Sequence, residues 1–352
     1  MKINRKAQIE LGINWIFILV AGGLIIIFFL AIALTQQKSS EKEISTYLID
    51  SLYQSMTTGL LSERYYNELP KLGNFDYNAI CLENLAVFYF NKVKKDVSFL
   101  FFSPTYAKQG DAIIWGIKWK ISYPLSNIIY LTFTTNKIII INESTLTKIC
   151  NNLKDYFHEK ANVKCVNSFD VNQIKSELQK ENIDSLTVVS TRDTLTIQNL
   201  SDAVSLVKRK INPKNLRIIV VNSTNLDRGE VSFILNNGQS SYKFLHYSEL
   251  IGAIVSGDPN FYSCMLRRRA RINQIIIQIY LNKVNRLKEI SSSSCASIYS
   301  GQLATLFNEI IEYENTLEYL TNDLKFQEYY LKMSAIEQAN KNLIWNNCEL
   351  II

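Results

Sequence analysis

Between Leu11 and Leu34 the chain reads LGINWIFILVAGGLIIIFFLAIAL, 24 residues without a charge. At 1.5 Å per residue a helix of that length spans about 36 Å, more than the roughly 30 Å of a hydrocarbon core. A segment apolar on every side belongs in lipid or deep inside a large core, so this run constrains the chain more than any other feature. The sequence predicts a transmembrane helix over 11–34. A cleaved secretory signal carries an apolar core of about 7 to 15 residues, and this run exceeds it. Lys2, Arg5 and Lys6 precede the span, and only Lys38 and Lys42 follow closely. That bias predicts residues 1–10 as a basic cytoplasmic leader and the rest of the chain outside. The expected location is the cytoplasmic membrane, in a single pass, with the lipid bilayer as first partner.

Beyond the span, Ile44, Leu48, Ile49, Leu52, Met56 and Leu60 recur at helical spacing, and no proline intervenes before Pro70. The apolar stripe therefore outlasts the membrane and predicts a stem helix over 35–66, continuous with the span from Gln8 to near Ser62. A break at SSEKE, around Lys38 to Lys42, is the alternative.

The opening RKAQIELGINWIFILVAGG resembles the class III signal of archaeal type IV pilin-like proteins: a short basic leader, a small residue, Gln, and an acidic residue just before an uncharged run. The resemblance implies cutting by a prepilin-type peptidase between Ala7 and Gln8. It also implies that Glu10 pairs with a neighbouring subunit's terminal amine, because a carboxylate in apolar surroundings needs a partner. It covers about 30 of the 352 residues and so bears on anchoring alone. The implied partners are pilin-like subunits or further copies of this chain, through helices 8–62 and 302–334. An uncleaved signal anchor is the alternative.

With 12 glycines and 5 prolines among 352 residues, long elements with few tight turns are expected. Residues 67–148 are rich in strand candidates (AVFYF, VSFLFF, AIIWGIKWKISY, IIYLTFTT, KIIIIN) and predict a small antiparallel sheet on the stem. Over 149–258 helical segments alternate with β-branched runs such as VKCVNS, SLTVVST and LRIIVVN, predicting a three-layer α/β unit. Residues 259–352 predict a C-terminal helical hairpin joined by SSSSCASIYSG. In its second helix, expected from Gln302 to Trp345, Leu303, Ile310, Leu317, Leu324 and Leu331 fall every seven residues. The seam serves either an antiparallel hairpin or an intermolecular coiled coil. The fold class is thus α+β with an α/β portion.

Catalytic patterns are sparse. No glycine-rich turn follows SLTVVST, no G-x-x-x-x-G-K-[ST] occurs, and no G-x-S-x-G elbow is present. Two histidines and six cysteines without C-x-x-C spacing leave zinc short of ligands, so no metal or cofactor is expected. His158 with Cys165, and His246 beside Glu249, read as a surface histidine, a half-buried thiol and strand alternation rather than as catalytic pairs. Arg267, Arg268, Arg269 and Arg271 spread around a helix, which favours solvated or salt-bridged residues, and no nucleic-acid partner is expected. Outside the cytoplasm disulfides become available: Cys264 with Cys295 or Cys295 with Cys348 are the candidate pairs, with buried free thiols the alternative. Asn142, Asn199 and Asn222 head N-x-[ST] sequences and are candidate glycosylation sites. The expected function is that of a non-enzymatic envelope or surface protein acting in assembly or interaction. The alternative is a membrane-tethered enzyme or ligand receptor using the α/β unit.

Overall fold

The computed structural model describes residues 5–62, 65–70, 72, 75–83, 85–120, 123–141, 144–156, 163–166, 183–191, 216–223, 226–235 and 238–351; along the first helix it describes side chains from Val20 onward, apart from residues 21 and 38. That helix, α1 (Arg5–Leu61), is one element of 57 residues, about 86 Å long. The break near Lys38 to Lys42 does not occur. Polar side chains here bond back into the helix: Ser45 Oγ donates to the Glu41 carbonyl at 2.7 Å and Thr46 Oγ1 to that of Lys42 at 2.8 Å. Gln37 also reaches Glu41 Oε1 at 3.0 Å, an i to i+4 bridge across the expected break.

Among the described residues three sheets follow, making the body a mixture of helix and strand. The first has the order β1 (Tyr65–Leu69), β7 (Ala112–Lys120), β8 (Pro124–Phe133), β5 (Phe101–Phe102), and the C-terminal half of α1 lies on it. The second, all antiparallel, has the order β4 (Val93–Val97), β3 (Leu85–Phe90), β2 (Tyr77–Leu82), β6 (Tyr106–Ala107). The third has six strands: β10 (Val163–Val166), β9 (Asn136–Ile141), β11 (Ser185–Ser190), β12 (Leu216–Asn222), β13 (Gly229–Leu235) and β14 (Gly238–Phe244). Its first four strands run parallel and its last two antiparallel. Every residue of β9 and of β11 is buried, as suits strands covered on both faces.

Several expectations shift. YYNEL and YNAICL form β1 and β2, which alternation alone did not mark as strands. KIIIIN, grouped by sequence with the β-rich region 67–148, pairs with β10 and β11 as the central β9. The helix α2 (Ser144–Tyr156) follows β9, whereas the helical segments expected at 170–182 and 199–210 lie outside the described residues.

The C-terminal region is a bundle rather than a two-helix hairpin. Helix α3 (Tyr247–Ser256) ends at Gly257 (φ +58°), which turns the chain into α4 (Pro259–Ile290). SSSSCASIYSG is helical: α5 (Ser293–Ser297) runs through a π-helical segment, Ile298–Leu303, into α6 (Ala304–Thr316). The heptad seam stops there. Leu317 adopts φ +58°, a 3₁₀ turn covers Glu318–Leu320, and α7 (Asp323–Trp345) starts afresh with Asn322 accepting from the amides of Leu324 and Lys325. Asn322 is a good N-cap placed inside the heptad run, so capping overrides the repeat. Leu324 and Leu331 are then 76% and 64% exposed, so they form no seam.

Candidate functional site

Helix α1 has two regimes. From Leu24 to Leu30 each side chain is 56–64% exposed, and the apolar window of the helix buries none of its residues within the chain. From Ser45 onward the same helix is part of the core: Ser45, Ile49, Leu52, Ser55 and Met56 are buried on one face. The molecule therefore carries one N-terminal apolar helix long enough to cross a membrane, fixed to a folded body.

The seat of the helix is polar at both ends. Near its start Asn91 Nδ2 donates to Ser45 Oγ at 3.2 Å, and Lys95 Nζ meets Asp50 at 2.6 Å. Midway, Ser55 Oγ lies 2.7 Å from Tyr65 OH and accepts from Asn67 Nδ2 at 2.7 Å. At its end the buried Asn127 of β8 donates Nδ2 to the carbonyls of Gly59, Leu60 and Ser62 at 3.0, 3.2 and 2.5 Å. A strand side chain thus satisfies carbonyls that a helix C-terminus leaves open. Helix and strand approach closely enough here to require glycines: a Cβ on Gly59 would stand 2.8 Å from the Tyr65 ring, and one on Gly116 would stand 3.1 Å from the Gly59 carbonyl.

Among the described residues a dense buried polar network surrounds Arg269 of α4, whose side chain is 1% exposed. Its Nη1 donates to Glu249 Oε1 at 2.9 Å, and its Nη2 reaches Tyr319 OH. Tyr319 and Tyr329 both donate to Glu314, the latter at 2.6 Å, and Asn273 Nδ2 reaches the same carboxylate at 2.5 Å. Tyr123 OH closes the set on Asn273 Oδ1 at 2.7 Å, while the Leu245 amide donates to Glu249 Oε2 at 2.8 Å. Burial alone would lower the pKa of the guanidinium, but the Glu249 carboxylate first, with Tyr319 and Glu314, holds it well above the ordinary value. Burial keeps Tyr319 and Tyr329 neutral, as donors. Apart from Arg269 Nε, which is buried without a hydrogen-bond partner among the described residues, the polar groups named here meet other groups of the chain, which is the character of an internal joint between α3, α4, α6 and α7.

The sequence candidates fall into place around these two features. Ala7, Gln8 and Glu10 lie in the first turns of α1, with their side chains outside the described residues. His246 is not a strand residue but the N-cap of α3. Its Nδ1 accepts from the Ser248 amide at 3.2 Å, and burial lowers its pKa against the pull of Glu249. Glu249 serves Arg269. His158 lies outside the described residues, and Cys165 is bonded to Cys150, so that pair offers no thiol. Cys264 pairs with Cys81 of β2, not with Cys295; the length of α4 separates Cys264 from Cys295, whereas β2 packs beside the helix start. Cys295 pairs with Cys348. Of the four arginines, Arg267 and Arg271 are exposed, Arg268 donates to the Ser98 carbonyl, and Arg269 is buried. Asn222 is exposed at the end of β12, while Asn142 and Asn199 lie outside the described residues. Among the described residues no His, Cys, Asp and Glu cluster could hold a metal.

Sequence reading missed the Arg269 joint, because three flanking arginines hide the one that shares a phase with buried Leu266, Asn273 and Ile277. The signal was Arg269 and Asn273 four apart within an apolar stripe. Comparison with family models, curated proteins and solved structures finds no match to this chain.

Proposed function

We propose that the chain is a non-enzymatic, single-pass protein of the cytoplasmic membrane whose pilin-like α1 holds the body outside and takes part in assembly or interaction. The observation that carries this reading is α1 itself: its described apolar residues from Leu24 to Leu30 are exposed, while its other half is clamped into the body without a joint. A helix of this kind transmits position and load rather than chemistry. The pairing of all six cysteines supports a body facing an oxidising compartment.

Intact-mass and N-terminal peptide analysis of protein purified from membranes tests the pilin-like part. A mature terminus at Gln8 is expected. A terminus at Met1, together with unchanged assembly in Glu10→Ala, would leave an ordinary signal anchor. Resistance to alkaline carbonate extraction tests the anchor itself.

A second reading, a membrane-tethered receptor or enzyme, draws on the order of the third sheet. From β9 the chain passes to β10 on one side and then to β11 on the other, so the carboxyl ends at Ile141 and Ser190 flank a reversal of direction. Open α/β sheets bind ligands at such reversals. A ligand-dependent rise in melting temperature, abolished by a bulky substitution at Ser190, would favour this reading.

A further inference from the structure

Charge is sorted along the C-terminal bundle. No Asp or Glu lies between Asp258 and Glu289, which covers nearly all of α4, and no Lys or Arg lies between Lys288 and Lys325, which covers α6. The sorting reaches the surface. Arg271, Ile275 and Ile279 each stand two residues, about 200° of helix turn, from Arg269, Asn273 and Ile277, which are buried against the rest of the bundle. Their own side chains therefore point outward: Arg271 is exposed, and Ile275 and Ile279 are 64% and 62% exposed. Arg267 and Arg286 extend this face, and these three arginines make no ion pair among the described residues.

A second outward surface lies on α6 and α7. Glu314 and Tyr329 turn toward Asn273 of α4, and away from α4 a groove of about 300 Å³ is lined by Glu309, Glu312, Tyr313, Glu318, Lys325 and Lys332, among others. Lys332 is paired with Glu309 at 2.8 Å and Lys325 with Glu328 at 3.0 Å, which leaves Glu312 and Glu318 without an ion pair among the described residues. The surplus is negative: burial first, then the carboxylates of Glu328, Glu309 and Glu312, push Tyr313 up to about 12. Beside the groove, Leu324 and Leu331 stand two residues from buried Phe326 and Tyr329 and supply the apolar part of this surface.

The two surfaces lie level along the bundle. Gln274 bonds Asn315 at 2.8 Å, Asn273 bonds Tyr329 at 3.1 Å and Tyr280 stacks on Phe307, so the stretch from Arg271 to Ile279 matches in height the stretch from Glu318 to Glu309. A sideways displacement without inversion therefore sets α4 of one copy against the α6–α7 surface of the next, and copies anchored in one membrane share that polarity. Contacts of this heterologous kind repeat from copy to copy.

We propose that the outward face of α4 docks on the α6–α7 surface of a second copy of this chain. Arg267 and Arg271 meet Glu318 and Glu312, as suits guanidinium forks on carboxylates, and Ile275 and Ile279 cover Leu324 and Leu331. The interface rests on the assembly reading above and gives it a contact outside the membrane.

With all six native cysteines bonded, an introduced cysteine is the free thiol. The full chain is reconstituted in vesicles as Ile275→Cys, as Leu331→Cys and as the double variant, then treated with a short bis-maleimide. A mixture of the two single variants should link into dimers, each single variant alone should not, and the double variant should give a ladder of multimers. Arg271→Glu in the double-cysteine background should weaken the ladder at least about tenfold, since like charges brought together across an interface cost several kcal/mol. Adding Glu318→Arg should restore it. Both positions are exposed, so these variants should melt with wild type. Dimers of Ile275→Cys alone that form as readily as in the mixture assign α4 to a symmetric contact and overturn the proposal, as does a ladder indifferent to Arg271→Glu. Differently tagged, carbonate-resistant copies that co-purify yet give no ladder overturn this interface and leave the assembly reading standing. Release of wild type by carbonate overturns the anchor, and this interface with it.

Discussion

Replacing Arg269 with Met removes the cation that, among the described residues, faces both Glu249 and Glu314 in the buried joint, while keeping most of the side-chain volume. Breaking a buried ion pair by removing one partner costs about 3 to 5 kcal/mol, because the other charge stays buried without compensation. For a body of this size each kcal/mol moves the melting temperature by about 2 to 4 °C, so a fall of about 10 °C is expected. Melting of the full chain in detergent, for wild type and Arg269→Met, reads the effect. Arg269→Lys should recover part of the loss, since one ammonium can reach one carboxylate but cannot bridge to Tyr319 as the fork does. A shift under about 3 °C would refute the view that this network joins the C-terminal helices to the body through charge.

Three further outcomes follow from named contacts. Cys81→Ser with Cys264→Ser opens a closed loop of 183 residues and should lower stability by up to about 5 kcal/mol, read as a urea midpoint without reductant, so that the Cys150–Cys165 and Cys295–Cys348 bonds stay intact in both proteins. Asn127→Ala leaves the α1 carbonyls of Gly59, Leu60 and Ser62 without their shared donor. It should cost about 1 to 3 kcal/mol and speed amide exchange near the end of the stem before it is felt elsewhere. His246 has its pKa depressed by burial, so the folded state takes its proton later than the unfolded chain as pH falls. The wild type should therefore lose stability as pH drops below about 6.5 until the folded value is passed, and His246→Asn, which keeps a capping oxygen, should flatten that slope. A persistent slope in His246→Asn would place the acid sensitivity elsewhere.

What was legible in the sequence was set by period and length. The uncharged run and the stripe from Ile44 to Leu60 mark α1, because burial along a helix face repeats every three or four residues and little else competes with it. LRIIVVN and KIIIIN are strands for the same kind of reason. The failures come where a local preference meets a long-range contact. Tyr65 and Tyr66 fall within the expected stem region, yet YYNEL lies antiparallel to β7 with Tyr65 opposite Gly116, a pairing that depends on a strand about fifty residues away. The heptad from Leu303 fails at Leu317, where a left-handed residue and the Asn322 cap outweigh a hydrophobic repeat that has no partner helix to bury it. Arg269 was invisible for a third reason: among four arginines the one that matters is distinguished only by which face of α4 meets Glu249, and that face is set by tertiary packing.

The placement of these contacts bears on how the body responds to a movement of α1. The stem is held at Ser45 by the β3–β4 turn and at Gly59 to Ser62 by β8, so its last four turns cannot rotate without moving two sheets. The sheet that carries the turn is tied through Cys81 to Cys264 at the start of α4, and α4 carries Arg269 into the joint with α3, α6 and α7. A tilt of α1 is therefore passed by one covalent bond and one buried charge network to the far end of the C-terminal bundle. If α1 packs against other helices in the membrane, the register of those helices sets the orientation in which successive bodies are presented. The Cys81–Cys264 bond then matters for geometry as well as stability: its loss should blur the spacing of assembled bodies even at temperatures where each body remains folded.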